Sequence, residues 1–403
     1  MSRGAGSAPR VLVLSANYPV PGFAIRGLWV ERLVRAASGD CRPVVLVPTP
    51  RFGGWRPARD EGVAGGATPA AAPVHRVRTP WAPPGPLRAL EAALLAAPVR
   101  REAERLRREE PFDLLHAHFV FPEGVVAAEL GRRWGVPVVV SEHANWRPWL
   151  DEWPSIRRRV LAALPGVALL TAASRATLTT IREVAGEQLA LARLPIPVDD
   201  AIFDLDPGAT VDPDRLLFVG MVRRVKGLDV LLEALARLAP DHPRLRLEVI
   251  GATYERGHRR DELRARELVA RLGLAARVRF RGAQAPEAVA ESLRTSALLV
   301  LPSRRESFGS VVAEALACGT PVVATRCGGP EEIVGDAGRL VAVEDVAGLA
   351  AAIAGELALR PRRQPVSLRR SVVERFGMAA TRARLRAIYG AVLDGGPLPS
   401  PEA

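Results

Sequence analysis

The sequence predicts an α/β protein built from two doubly wound parallel sheets, one in each half of the chain. Short, nearly continuous apolar runs recur along its length, and helical patterns with charged faces lie between several of them. The alternation pauses once, at a stretch rich in Pro and Asp, and then restarts. Strands apolar throughout belong to sheets covered on both faces, and parallel neighbours need a crossover, usually a helix. At 403 residues the chain is long for a single core, and about 100 to 200 residues per domain suggests two.

The first half opens with VLVLS (11–15), an apolar run too short for a secretory segment, so it reads as a strand leading through a loop to the helical LWVERLVRAA. PVVLVPT (43–49) and VHRVR (74–78) are the next strands, and residues 52–86 are Gly-, Pro- and Ala-rich, a long surface loop with no readable task. EAALLAAPVRREAERLRREE carries a helical pattern into the strand DLLHAH (113–118). GVVAAELGRRWG is a second helix, closed by Gly135 and Pro137, and leads into VPVVVSEH (136–143) and ALLTAAS (168–174). The pause, LPIPVDDAIFDLDPGATVDPDR, reads as a linker near residues 195–215. The second series is LLFVG (216–220), LRLEVIG (245–251), VRFRG (278–282), ALLVLPS (297–303), PVVATR (321–326) and RLVAV (339–343). The expected domains are therefore 1–195 and 196–371. Residues 372–403 hold one amphipathic helix, Val372 to Leu393, that packs back on the first domain.

Composition narrows the partners. A formal charge of +12 suits an anionic partner but does not choose among nucleic acid, lipid headgroups and phosphorylated small molecules. Arginines interleaved with glutamates, as in RREAERLRREE, resemble solvated helix faces more than a basic stripe, so nucleic acid is not expected. Cys41, Cys318 and Cys327 are too few and too scattered for a disulfide framework or a zinc cage. No apolar stretch approaches the roughly 20 residues of a membrane span, so a cytoplasmic protein is expected. ANWRPWLDEWPSIRRRVLAALPG (144–166) sets Trp146, Trp149 and Trp153 beside three arginines. Packing beneath a lid, stacking on a sugar and peripheral contact with the inner face of a membrane all fit that segment.

In open α/β sheets ligands bind beyond the carboxyl ends of the strands. The densest such segment is VLPSRRESFGSVVAEALACGTPVVAT (300–325). A strand ends at Pro302, a polar turn follows, and Phe308, Gly309 and Ser310 open a helix whose free N–H groups can receive an anion. Glu306 and Glu314 bracket that terminus, and carboxylates accept hydrogen bonds from vicinal hydroxyls. Sugar, phosphate and sugar in a row describe a nucleotide sugar. A lone glutamate in a first helical turn does no more than complement the macrodipole; the combination is what is specific.

Here the sequence resembles the retaining glycosyltransferases of family 4, which have the GT-B fold of two Rossmann-like domains facing a central cleft. Their signature of two glutamates with seven residues between them is E-SFGSVVA-E, Glu306 to Glu314. The likeness extends to SANYPVPGFAIRGLWVERL, DLLHAH, VVVSEH, FVG…KGLDVLLEAL, VRFRG and TPVVATRCGGPEEIV. It implies transfer of a hexosyl unit from a nucleotide diphosphate sugar to a hydroxyl acceptor, with retention and no cofactor. It further implies that Glu306 binds donor-sugar hydroxyls, that the Phe308–Gly309 amides and Ser310 support sugar and phosphate, and that Glu314 holds the ribose.

Lys226, the only lysine, then sits where the family's Lys-Gly lysine stabilises the departing diphosphate; every other one of the 56 basic residues is arginine. Many members carry arginine where this chain has Met221, leaving Arg223 or Arg224 as the second cation. The resemblance also places His143 against the donor sugar. His116 and His118 could line the cleft or be locked structural histidines. Gly27 suits close approach of backbone to substrate. Gly328 to Glu332 reads as a structural turn. Asp204 and Asp206 mimic an Asp-x-Asp metal motif but lie in the linker without converging oxygens, so no metal is expected. Two rival readings are a GT-B phosphorylase holding pyridoxal phosphate on Lys226 and a non-enzymatic basic nucleic-acid binder.

Overall fold

The computed structural model describes residues 8–19, 27–50, 72–80, 86–251, 259–359 and 363–400. Most of the loop expected over 52–86 lies outside the described residues, as does 20–26 of the segment before Gly27. The chain forms two compact units. Among the described residues, the first takes everything to Ile196 together with the chain from Thr381, and the second takes Pro197–Ala380.

The first unit is a seven-stranded parallel sheet in the order β3-β2-β1-β4-β5-β6-β7. Its strands are β1 (Arg10–Leu14), β2 (Arg42–Pro50), β3 (Val74–Thr79), β4 (Leu114–His118), β5 (Val138–Glu142), β6 (Leu169–Ala172) and β7 (Leu191–Arg193). In register, Leu12 pairs with Val44 on one side and Leu115 on the other. β1, β4, β5 and β6 are buried along their whole length, as strands of a parallel sheet covered on both faces are, and this is why they read as mostly apolar runs, with polar residues at the carboxyl ends of β4 and β5. Strand β7 escaped the sequence reading: three residues at a sheet edge are too few to show a period. Gly135, at φ 66°, closes the helix Val125–Trp134 in the left-handed conformation that favours glycine.

The second unit is a six-stranded parallel sheet in the order β10-β9-β8-β11-β12-β13. Its strands are β8 (Asp212–Val219), β9 (Arg246–Ile250), β10 (Val278–Gly282), β11 (Ser296–Leu301), β12 (Val322–Thr325) and β13 (Gly338–Val341). In both sheets the order reverses beside the first strand, between β1 and β4 and between β8 and β11. In open parallel sheets such reversals, at the carboxyl ends of the strands, are where ligand sites are built.

The single helix expected over 372–393 is instead two, Pro365–Phe376 and Met378–Asp394, interrupted at Gly377. Gly377 has φ −65° and ψ 170°, and that extended ψ is what breaks the α-helix. The first helix packs in the second unit, where Arg369 caps the carbonyls of Phe203 and Ala317. The later helix joins the first unit through Arg382, whose guanidinium holds Asp40. No helix among the described residues is long and apolar enough to cross a membrane. Trp146 is fully buried, and Trp149 and Trp153 pack against the first core.

Candidate functional site

In the second unit, two connections meet at the sheet reversal. After β8 the chain makes a short turn, Arg224–Lys226, and Gly227 (φ 68°) starts the helix Leu228–Leu238. A side chain at 227 would place its Cβ 1.9 Å from the carbonyl oxygen of Pro302, just past β11, so only glycine lets the two connections close together. Arg304 ties them further. Its N–H donates to the Val225 carbonyl at 2.8 Å, and its guanidinium forms a bidentate pair with Asp229 at 2.9 Å on both arms. Hydrogen bonds to Asp229 and Glu344 hold that guanidinium above its ordinary pKa.

Across this junction Lys226 Nζ donates to Glu306 Oε1 at 2.7 Å, and Ser303 Oγ donates to the same oxygen at 2.7 Å. Among the described residues nothing donates to Oε2, which leaves a nearly buried carboxylate with one uncommitted oxygen. Two of the expected site residues are thus brought together directly.

The signature helix runs from Ser310 to Ala317, with Gly309 (φ 87°) ahead of it and no side-chain cap on its first N–H groups. Val312 N–H turns back to the Gly309 carbonyl at 2.9 Å, and the N–H groups ahead of it remain available to an anion. Phe308 turns its ring into the core, 5.3 Å from Phe376 and edge-on to it, so what it offers the site is its amide. The Gly328–Pro330 turn lies against this segment. Gly329 N–H donates to the Glu306 carbonyl, Glu306 N–H to that of Cys327, and a Cβ at 329 would fall 2.2 Å from Phe308 O. Glu314 is half-buried one turn into the helix. Of the two candidate second cations, Arg224 is exposed, whereas Arg223 is half-buried and its guanidinium has no partner among the described residues.

The first unit gathers the three histidines at the ends of β4 and β5. His118 Nδ1 lies 3.0 Å from His143 Nε2, with the rings stacked at 5.3 Å. His116 bonds Tyr389 Oη through Nδ1 (2.7 Å) and Ser141 Oγ through Nε2 (2.8 Å), and Ser141 bonds Thr171. Burial pushes His116 and His143 down to about 3 and His118 well below its ordinary value, so all three are neutral at physiological pH. With Thr171 donating onward to the Val140 carbonyl (3.5 Å), the chain has one consistent direction. Tyr389 then donates to Nδ1 of His116, which carries its proton on Nε2. His116 is thereby a locked structural residue, whereas His143 Nδ1 has no partner among the described residues.

Two glutamates missed by the sequence reading hold this end of the sheet. Glu142 accepts from the N–H groups of Val120, His143 and Ala144 and from Trp146 Nε1, which fixes the turn that carries His143. Burial nonetheless pushes its pKa up. Glu123 accepts from Ala16 N–H at 2.8 Å, joining the loops after β4 and β1 at the reversal, and burial raises it to about 8. A VSEH or FPEG string gives no hint of such roles, because every partner except those adjacent to Glu142 is set by the fold. Gly27, at φ 68°, is crowded by the chain itself: a Cβ would lie 2.3 Å from Asn17 O. Asp204 and Asp206 sit in exposed turns that accept neighbouring N–H groups, and no group of His, Cys, Asp and Glu among the described residues could hold a metal ion.

The family model for Glycosyltransferase Family 4 matches residues 29–200, and that for Glycosyl transferases group 1 matches 204–369. A D-inositol 3-phosphate glycosyltransferase from Geodermatophilus obscurus is 32% identical over 366 residues, covering 84% of this chain and 75% of the relative. The chain belongs to glycosyltransferase family 4. A second transferase of the same description, from Saccharomonospora viridis, is 32% identical and covers 91% of this chain and 86% of its own. Among solved structures, a sucrose-phosphate synthase from Thermosynechococcus elongatus superposes with a TM-score of 0.78 at 21% identity, covering 96% of this chain and all of the other. Anabaena HepE, crystallised with UDP and glucose, gives 0.71 at 19%, covering 94% and 98%. At such identities the likeness is one of fold, and the fold is GT-B. This protein is a glycosyltransferase, which removes the non-enzymatic nucleic-acid binder from consideration.

Proposed function

We propose that this transferase moves a hexosyl unit from a nucleotide diphosphate sugar to a hydroxyl acceptor with retention at the anomeric carbon. The observation that carries the donor reading is the junction of Lys226 and Glu306 beside an uncapped helix N-terminus. Lys226, Arg223 and the amides from Gly309 onward take the diphosphate. Ser310 supports it, Glu306 Oε2 accepts from a donor-sugar hydroxyl, and Glu314 accepts from the ribose. As the glycosidic bond lengthens, negative charge grows on the bridging phosphate oxygen, and fixed cations and amides stabilise that change without reorganising. A departing phosphate oxygen takes the acceptor proton on the same face, which gives retention without a covalent enzyme intermediate. His143, neutral and hydrogen-bonded to His118 through Nε2, lies with its ring against the transferred sugar, which keeps Nδ1 for a hydroxyl of the acceptor, and Gly27 lets the loop after β1 fold back against the start of the helix Leu28–Ala37.

The relatives' names make D-inositol 3-phosphate the first acceptor to try. Calorimetry against UDP-, GDP-, ADP- and dTDP-sugars tests the donor. One is expected to bind, and Glu314→Ala should raise its dissociation constant at least tenfold. Wild-type protein that binds none of them, or a variant that binds as tightly, would overturn the reading.

A further inference from the structure

Phe119 has a backbone that a bulky residue rarely adopts. It directly follows β4 with φ 70° and ψ 136°, outside even the left-handed helical pocket and close to a region that is nearly glycine-only. Two main-chain bonds enforce this conformation: Phe119 N–H donates to Ser141 O at 2.8 Å, and Gly124 N–H donates to Phe119 O at 3.0 Å. Glycine would fit here without strain, so the phenyl ring is kept against a backbone cost, and strain of this kind gathers at functional sites. The ring stands edge-on to His143 at 5.2 Å.

Trp29, from the first turn of the helix Leu28–Ala37, also stands against His143, with ring centroids 6.3 Å apart and an interplanar angle of 61°. Trp29 Nε1 and His143 Nδ1 are both shut off from solvent and both lack a hydrogen-bond partner among the described residues. A buried polar atom without a partner is uncommon and calls for an explanation, of which a ligand is one. Trp29 Nε1 can only donate. His143 Nδ1 donates if His118 supplies the shared proton and accepts if His143 does; a hydroxyl can answer either state. All three residues are half-buried, so part of each ring remains accessible, and reaching the nitrogens takes a side-chain adjustment of the kind common at binding sites.

We propose that Trp29, Phe119 and His143 form a cup for the acceptor ring, selecting a hydroxylated ring such as a sugar or cyclitol over a simple apolar alcohol. This rests on the transferase reading above and deepens it. Apolar ring faces cover the C–H faces of a saccharide, while the two nitrogens bind hydroxyls other than the one that reacts. An alcohol with a single hydroxyl leaves both nitrogens unpaired, and a site built to hydrogen-bond discriminates strongly against such a ligand.

The experiment uses Phe119→Gly, Phe119→Ala and Trp29→Phe in the full chain. Thermal melting comes first: Phe119→Gly should melt a few degrees above Phe119→Ala, because only alanine keeps the strain; the reverse order would remove the strain argument and overturn the cup. Transfer is then measured with D-inositol 3-phosphate, myo-inositol and glucose, and with n-butanol as the apolar alcohol. Phe119→Gly and Trp29→Phe should raise KM for the ring acceptor at least tenfold, with the dissociation constant of the nucleoside diphosphate (UDP, GDP or ADP, whichever binds) within twofold of wild type. An unchanged acceptor KM, a rise in donor KM in its place, or preference for n-butanol overturns the cup. So does a wild type that binds nucleoside diphosphate yet neither glycosylates nor binds any of the ring probes. A wild type that binds no nucleoside diphosphate fails the donor reading instead, and the two failures are thereby told apart.

Discussion

Lys226 is the one ammonium side chain among so many guanidiniums. Its Nζ meets Glu306 Oε1 at 2.7 Å, on an oxygen that Ser303 also occupies, beside a turn whose glycine is closed against Pro302 O. A compact point charge fits that position; a planar fork has to displace Ser303 or tilt the carboxylate. Lys226→Arg should therefore lower kcat at least tenfold while the nucleoside diphosphate binds within a few-fold of wild type, and steady-state kinetics with calorimetry separate the two. Wild-type turnover would remove the special role of the ammonium. Lys226 and Glu306 were legible from sequence because each follows a strand and lies in a spaced motif. Ser303, Arg304, Glu123 and Glu142 were not, because a serine or glutamate states its role only when its partners are known, and most of theirs are set by the fold.

At the scale of elements, the connection after β8 and the one after β11 form a single object held by backbone contact. Gly227 and Gly273 share φ 68°, but a Cβ at 273 meets nothing within 4 Å, whereas one at 227 collides with main chain. Gly273→Ala should cost only the left-handed backbone penalty of about 1–2 kcal/mol. Gly227→Ala should cost more and should also weaken nucleotide-sugar binding, since Lys226 moves with the turn. Thermal melting of both variants, with calorimetry, checks this; equal losses and unchanged binding would show that the two connections need not touch. Helix existence followed from apolar periodicity, yet the break at Gly377 was hidden within the continuous pattern from 372 to 393. Glycine lowers helix propensity by only about 1 kcal/mol relative to alanine, too little to announce a break unaided.

Across the whole molecule, the buried titratable groups of the first unit set opposite pH slopes. The histidines have depressed folded pKa values, to about 3 for His116 and His143, so the stability they contribute is complete above about pH 6.5 and drains as pH falls. Glu123 is the reverse case. Raised to about 8, it is protonated in the fold where the unfolded chain would ionise it, so its contribution is complete below about pH 4.5 and is lost as pH rises through 8. Glu123→Gln keeps an oxygen for Ala16 N–H without the ionisation. The variant should gain stability over wild type between pH 5 and 8.5 by up to about 1.4 kcal/mol per pH unit. Urea unfolding at the two pH values reads this directly, and a constant difference would show that Glu123 is already ionised in the fold.

The sequence by itself determined the two parallel sheets, the order of most of their strands along the chain and the segments that end at their carboxyl edges. These depend on apolar periodicity, glycine and spacing, which are properties of neighbours in the chain. Only the tertiary structure decided that Lys226 reaches Glu306, that Tyr389 locks His116, that Glu123 spans two loops and that Phe119 is held at positive φ. Each of those depends on groups far apart in sequence, or on main-chain bonds that form only when two strands align, and a linear pattern carries no record of such distances.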